Sequence, residues 1–360
     1  MKKEEKELFK GLCNFKTGNL DESLLEYATP SVLGHLFFNR MQAIAYGTLK
    51  ERGMLRNVNR EFRNSLKAAY EQNKEKNQSF FWCIQHLKSI LSECGCNYAM
   101  LKGAFLCRYY PDGYRTSNDI DLLVLPEHVT AIGIALLNAG FRQGNIRNGK
   151  FLPATRREII ESKMMRGETV PYIKEIKLPS MKYLEVDINF SLDYKNGDTK
   201  ALEKILERVQ NREVGRMSVP TLDCADFFIH LCSHLYKEAT TLPWIEMKRD
   251  MTLYKYCDIY LLLSEMTEGQ VKIVFERAKS LGMEEIVAFT MLQTASLFDV
   301  NSKFISMAED ILSDKPEFIH LVISPKEQKT FVYEEKDIFE RFFAESRKKL
   351  LKEVTESCKN

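Results

Sequence analysis

Asp119 and Asp121 stand one residue apart in the stretch Arg115-Thr-Ser-Asn-Asp-Ile-Asp-Leu-Leu-Val124. The apolar residues Ile120, Leu122, Leu123, Val124 and Leu125 read as a buried strand. Side chains alternate along a strand, so the two carboxylates share a face while Ile120 and Leu122 turn toward the core. Neighbouring carboxylates repel, and a fold avoids that arrangement unless a cation sits between them. An oxygen-rich, doubly negative pocket suits Mg²⁺, which is commonly held by one or two carboxylates together with substrate phosphates. The chemistry that follows from this spacing is metal-assisted transfer of a phosphoryl or nucleotidyl group. A D-x-D pair also occurs in surface turns and helix caps, so its surroundings have to carry the reading.

Just upstream, Asn97-Tyr-Ala-Met-Leu-Lys-Gly-Ala-Phe-Leu106 is a short apolar strand that ends in Lys102-Gly103. A helix is predicted to start there, since Ala104, Phe105, Leu106, Cys107, Tyr109 and Tyr110 follow before Pro111-Asp112-Gly113 breaks it. Strand, glycine turn, helix and D-x-D strand together bring a phosphate to a metal. Gly103 would let backbone amides approach the phosphates, and a helix N-terminus adds partial positive charge. A third carboxylate is offered by Lys182-Tyr-Leu-Glu-Val-Asp-Ile-Asn-Phe190, where Leu184, Val186, Ile188 and Phe190 alternate with Glu185, Asp187 and Asn189. Asp and Asn are depleted in strands. Either this is an edge strand with a solvated face, or it pairs with the Asp119 strand so that Asp187 completes a triad, with Glu185 on the same face.

Lys102-Gly103, Arg115, Asp119-Ile-Asp121-Leu-Leu-Val and Val186-Asp187-Ile together resemble the nucleotidyltransferase superfamily that shares the DNA polymerase β palm. Within it, the chain is similar to the bacterial uncharacterised nucleotidyltransferase family, whose members carry an L-K-G strand end, an R-x-x-x-D-I-D-L-L-V strand and a later V-D-L-H-like strand. The resemblance is specific over 98–190 and weaker over the helical part to about 258. The wider superfamily has Gly-Ser where this chain has Gly103-Ala104, and the narrower family often has His at the place of Asn189. The resemblance implies an α+β fold: a polymerase β-like palm, a mixed sheet with helices, flanked by N-terminal and C-terminal helical regions. It implies that Asp119 and Asp121 hold two Mg²⁺ ions and Asp187 one of them, with Lys102, Gly103 and Arg115 at the triphosphate of an NTP. The reaction it implies is transfer of a nucleoside monophosphate to a small-molecule, peptide or protein acceptor, with release of pyrophosphate. The alternative is a catalytically weak nucleotide-binding or toxin–antitoxin-type regulatory protein on the same scaffold.

These elements must be positioned by a chain of 360 residues, 44% hydrophobic and 28% charged, the make-up of an ordinary globular protein with room for two domains. A net charge of +2 gives no strong nucleic-acid signal. No stretch reaches the ~18 apolar residues of a membrane span, and the N-terminus has no apolar leader core, which predicts no membrane association and a cytoplasmic location. The nine scattered cysteines fit free thiols in a reducing compartment.

Element types divide the chain into an N-terminal helical region (1–96), a nucleotidyltransferase α/β domain (97–220) and a C-terminal helical domain (221–360). The periodicity predicts a helix over 31–52. It predicts a long helical stretch over 56–93 whose polar middle (71–79) marks a solvated segment or a break. A charged insertion at 150–170 carries Arg156, Arg157, Lys163 and Arg166. Met247, Met251, Leu253, Tyr256, Ile259 and Leu262 form a predicted core stripe, and 336–354 reads as a charged C-terminal helix.

The helix over 224–238 places His230 and His234 one turn apart on one face. Leu231 replaces the Glu of H-E-x-x-H, which argues against a zinc protease. Local hydrogen bonds could account for both histidines. The segment also resembles the H-L-x-x-H helix of the same family, and Lys255-Tyr-Cys-Asp258 resembles its basic-x-x-Asp end. The resemblance implies that His230, His234 and Asp258 reach the acceptor or the nucleotide.

Overall fold

Six strands form the sheet that carries the acidic segments: β1 (Tyr98–Met100), β2 (Asp119–Val124), β3 (Arg142–Arg147), β4 (Lys150–Pro153), β5 (Tyr172–Leu178) and β6 (Met181–Asn189). Their spatial order in this computed structural model is β1-β2-β6-β5-β3-β4. The structure describes residues 1–16, 20–192 and 199–354. β2 and β6 run parallel, and every other neighbouring pair is antiparallel. A parallel pair needs a long crossover, supplied here by the chain from 125 to 180. β2 lies inside the sheet with Ile120, Leu122, Leu123 and Val124 fully covered, and Leu184, Val186 and Ile188 of β6 are equally buried. The β3–β4 hairpin turns on Asn148-Gly149 with φ of 51° and 69°, the two positive values a two-residue type I′ turn requires.

By contacts the chain forms two compact units, one of Ala69–His230 and one of Met1–Ala68 with Leu231–Asn360. The succession of helical, α/β and helical segments is a division by element type, whereas the second unit joins both ends of the chain. The overall make-up is α+β, a mixed sheet with helical regions on either side of it in sequence. No helix among the described residues is long and apolar enough to cross a membrane.

Several local expectations change on packing. The helix Arg60–Ser92 runs unbroken for 33 residues. Its polar middle is spent on loops of the sheet unit: Asn73 Nδ2 donates to the Gly113 carbonyl (3.1 Å) and Ser79 Oγ to the Pro179 carbonyl (2.8 Å). Polar residues there replace solvent with partners, so no break is needed.

The stretch 31–52 forms two helices, Pro30–Phe38 and Gln42–Glu51. Asn39 is wholly buried between them and accepts from the Leu253 amide through Oδ1 (3.1 Å), and Arg40 turns the chain at φ 57°. The charged insertion is ordered as β4 and the helix Arg156–Arg166, which opens on a Thr155/Glu158 capping box.

The C-terminal segment is not a long helix. It forms the short helix Ile338–Arg341, a turn over Arg347–Leu350 and the strand Leu351–Glu353 at the edge of a three-stranded sheet. Its charges explain why. Arg341 and Arg347 are buried, and Arg347 makes two hydrogen bonds to Asp250 at 2.6 and 2.7 Å, a geometry that a solvated amphipathic helix has no use for. Met247 leaves the expected core stripe and is 53% exposed, since it caps a separate short helix, Leu242–Glu246, rather than lying on Leu253–Glu265. Met251, Leu253, Tyr256, Ile259 and Leu262 are buried.

Candidate active site

The parallel register of β2 and β6 sets Asp119 opposite Glu185 and Asp121 opposite Asp187. Paired strands lie about 4.8 Å apart and alternate residues share a face, so four carboxylates occupy a two-by-two array on one side of the sheet. Asp121 is 5% exposed. A carboxylate so buried is costly unless paired, and the Lys102 ammonium lies 2.8 Å from its Oδ1.

The array sets the electrostatics. Burial, followed by the charges of Asp121, Asp119 and Glu185, holds the Asp187 carboxyl well above the usual range, with Lys102 opposing only in part. Burial, then Asp119 and Asp121, pushes Glu185 up. Burial works to raise Asp119 as well. The Ser117 hydroxyl, Lys102, its own backbone and Arg115 together outweigh burial and leave Asp119 below the ordinary range. The array thus favours ionisation more at Asp119 than at Asp187.

Lys102 closes β1 in an uncommon backbone conformation, φ 43° and ψ −119°. That region costs a non-glycine residue on the order of 1–3 kcal/mol and persists where surrounding structure enforces it. Here the Lys102 carbonyl accepts from the amides of Phe105 (3.1 Å) and Leu106 (2.8 Å), and the side chain is anchored on Asp121. The following helix has only four residues, Gly103–Leu106, before a turn over Cys107–Tyr109. The helix expected between Gly103 and Pro111 does start at Gly103, but its α-helical part is one turn, too short for a substantial dipole.

Gly103 also has a role the sequence reading missed. A Cβ there would lie 2.5 Å from both Cβ and Oγ of Ser117, and 3.5 Å from Arg115 Nη1. The space left by the absent side chain is filled by Ser117. Ser117 Oγ in turn donates to Asp119 Oδ1 at 2.8 Å. The available signal was a serine two residues before an aspartate, a local pairing that short polar side chains favour.

Lys102, Gly103, Arg115, Asp119, Asp121, Glu185 and Asp187 all belong to the sheet unit, on β2, β6 and the turns beside them. His230 and His234 lie on the helix Cys224–Ala239, and Asp258 on Leu253–Glu265. His230 and Asp258 are buried. His234 Nε2 lies 3.4 Å from Glu238 Oε1 one turn along, and Glu238 also pairs with Lys255. These three are placed by their own helices. Among the described residues, no three His, Cys, Asp or Glu side chains stand ready to hold a metal ion as they are.

The family model described as uncharacterised nucleotidyltransferase matches residues 31–299, and the chain belongs to that family. The matched span includes both acidic strands and the helices with His230, His234 and Asp258. Among solved structures the chain is similar to an antigenic nucleotidyltransferase-like protein from Paracoccidioides brasiliensis. The two are 11% identical with a TM-score of 0.32, over 64% of this chain and 97% of that one. No curated protein matches the chain.

Proposed function

We propose that this member of the nucleotidyltransferase family transfers a nucleoside monophosphate from an NTP to an acceptor, releasing pyrophosphate, in a reaction that depends on Mg²⁺. The observation that carries this reading is the β2–β6 register, which puts Asp121 opposite Asp187 and Asp119 opposite Glu185. The donors are oxygens only, the set that suits Mg²⁺ rather than zinc. Burial first and the neighbouring carboxylates second raise Asp187 and Glu185, and Lys102 lowers Asp187 only in part, so a divalent cation there would relieve charge that one ammonium does not offset. The residues therefore fit a divalent cation in chemistry and register, with side-chain rotation and release of Lys102 needed to complete the ligand set.

Asp119, Asp121 and Asp187 would hold the metal, two ions being the expected number. Bound there, Mg²⁺ supplies charge neutralisation at the phosphates and at the leaving pyrophosphate. Lys102 and Arg115 bind the triphosphate, Lys102 exchanging Asp121 for a phosphate oxygen. The acceptor oxygen attacks the α-phosphorus as the bond to pyrophosphate breaks, and the acceptor's proton leaves with solvent or a nearby carboxylate. Glu185, opposite Asp119, is a further substrate contact in this reading. His230, His234 and Asp258 contribute to acceptor recognition. The acceptor is a small molecule, a peptide or a protein side chain.

A second reading, a site that binds nucleotide with little turnover and serves regulation, is favoured by the Lys102–Asp121 pair and by the lack of a hydroxyl at Ala104. Titration of NTP with and without Mg²⁺ into the wild-type protein and into Asp119→Asn and Asp121→Asn tests the shared premise. Mg²⁺-dependent binding lost in both variants supports it, and undiminished Mg²⁺-dependent binding in either contradicts it.

A further inference from the structure

We propose that Ser117 is the positioning residue of the carboxylate array, and that position 103 is glycine in order to seat it. The inference rests on the array being a divalent-cation site. Two contacts carry it. Ser117 Oγ donates to Asp119 Oδ1 at 2.8 Å, with the Asp119 carbonyl at 3.3 Å. Both Cβ and Oγ of Ser117 lie 2.5 Å from where a side chain at 103 would begin. The Ser117 Cβ is fixed to its backbone, so a methyl group at 103 cannot be accommodated by rotating a flexible side chain away. The loop itself must move.

The turn at Gly103 thus holds the Ser117 hydroxyl, and the hydroxyl holds Asp119. Arg115 Nη1 also lies 3.5 Å from the same point, so two residues of the loop before β2 approach this turn. A carboxylate that accepts a hydrogen bond on one oxygen is restricted in rotation while its other oxygen serves a cation. Such supporting bonds are worth about 10–100-fold in metal affinity. Ala104, the neighbour of Gly103, is wholly buried and carries no hydroxyl, so the serine of the adjoining loop is the hydroxyl this turn presents to β2.

The test is Mn²⁺ affinity of nucleotide-free protein, followed by electron paramagnetic resonance, for the wild type, Ser117→Ala, Gly103→Ala, the double variant and Asp119→Asn. Far-UV circular dichroism and the thermal midpoint confirm folding. Ser117→Ala is expected to bind Mn²⁺ about 10–100-fold more weakly. Gly103→Ala, which keeps the hydroxyl but displaces it, is expected to do the same. The double variant is expected to be no weaker than the weaker single one, since both changes break one contact. Wild-type binding that is lost in Asp119→Asn but unchanged in Ser117→Ala overturns the role of Ser117 while leaving the metal site standing. Effects of the two single changes that multiply in full separate the glycine from the serine and overturn that link. Absence of Mn²⁺ binding by the wild type overturns both this inference and the metal reading beneath it.

Discussion

Asp121 and Asp187 are direct partners across the parallel pairing of β2 and β6. Two acidic side chains opposed in the middle of a sheet are destabilising by themselves. What offsets the repulsion is a lysine held in a strained turn, with Lys102 Nζ 2.8 Å from Asp121 Oδ1. The arrangement places one cation where the proposed chemistry needs another.

That competition gives a prediction with opposite signs for two ligands. Lys102→Met should bind Mn²⁺ or Mg²⁺ more tightly than the wild type in the absence of nucleotide, and should bind Mg·NTP about tenfold or more weakly, since a charge-assisted contact is worth about 1.5–3 kcal/mol. Isothermal titration with metal alone, then with NTP at fixed Mg²⁺, reads both. Weaker binding of metal and nucleotide alike would mean that Lys102 supports the carboxylates and does not compete for them.

The raised carboxyls predict a pH dependence. Asp187 and Glu185 bind their protons more tightly in the folded protein than in the unfolded chain. The native state therefore holds more protons, and their contribution to stability falls as pH rises from the ordinary carboxylate range through the raised values. Asp119, held low, acts oppositely: its contribution is present above the ordinary range and is lost as pH falls through its lowered value. Asp187→Asn should thus stabilise the metal-free protein at neutral pH, and the gain should shrink as pH falls and vanish only below the ordinary aspartate range, where the aspartate is protonated in both states. Urea unfolding at several pH values measures it. A uniform loss of stability at every pH would show that Asp187 is held by hydrogen bonds rather than pressed by charge.

Much of the sheet was legible because its signals are local. The alternation in 182–190 and the D-x-D run give β6 and β2 nearly to the residue. The β2–β6 pairing left Asp187 beside Asp121 as one of two readings, and the register decides between them. What the sequence hid depends on distant contacts. Ser117 matters because of a close approach to Gly103, and no spacing rule shows that. Arg347 belongs to a buried pair with Asp250, 97 residues away, so a charged C-terminal stretch that reads as a solvated helix becomes a turn and an edge strand. The polar middle of Arg60–Ser92 likewise reads as a break only until Gly113 and Pro179 supply its partners.

A third prediction concerns the acceptor. His234 sits within hydrogen-bonding and ionic reach of Glu238, which also meets Lys255, and Asp258 is buried one turn of helix beyond Lys255. His234→Ala and Asp258→Asn should lower kcat/KM for the acceptor by about tenfold or more while leaving the Kd for Mg·NTP within a few-fold, since acceptor discrimination is a difference in transition-state binding. Loss of NTP affinity with acceptor use untouched would assign these residues to the donor instead.

The central claim is the transfer of a nucleoside monophosphate, and it is tested most directly by the fate of the two ends of one NTP. The protein is incubated with Mg²⁺, a metabolite and protein extract, and NTP labelled at either the α- or the γ-phosphate. The account predicts that wild-type protein moves the α-label into a product and releases the γ-label as pyrophosphate, and that Asp121→Asn does neither. Appearance of the γ-label in the product, or wild-type and Asp121→Asn proteins that transfer label equally, would contradict it. Nucleotide binding with no transfer of either label would place the protein in the regulatory reading.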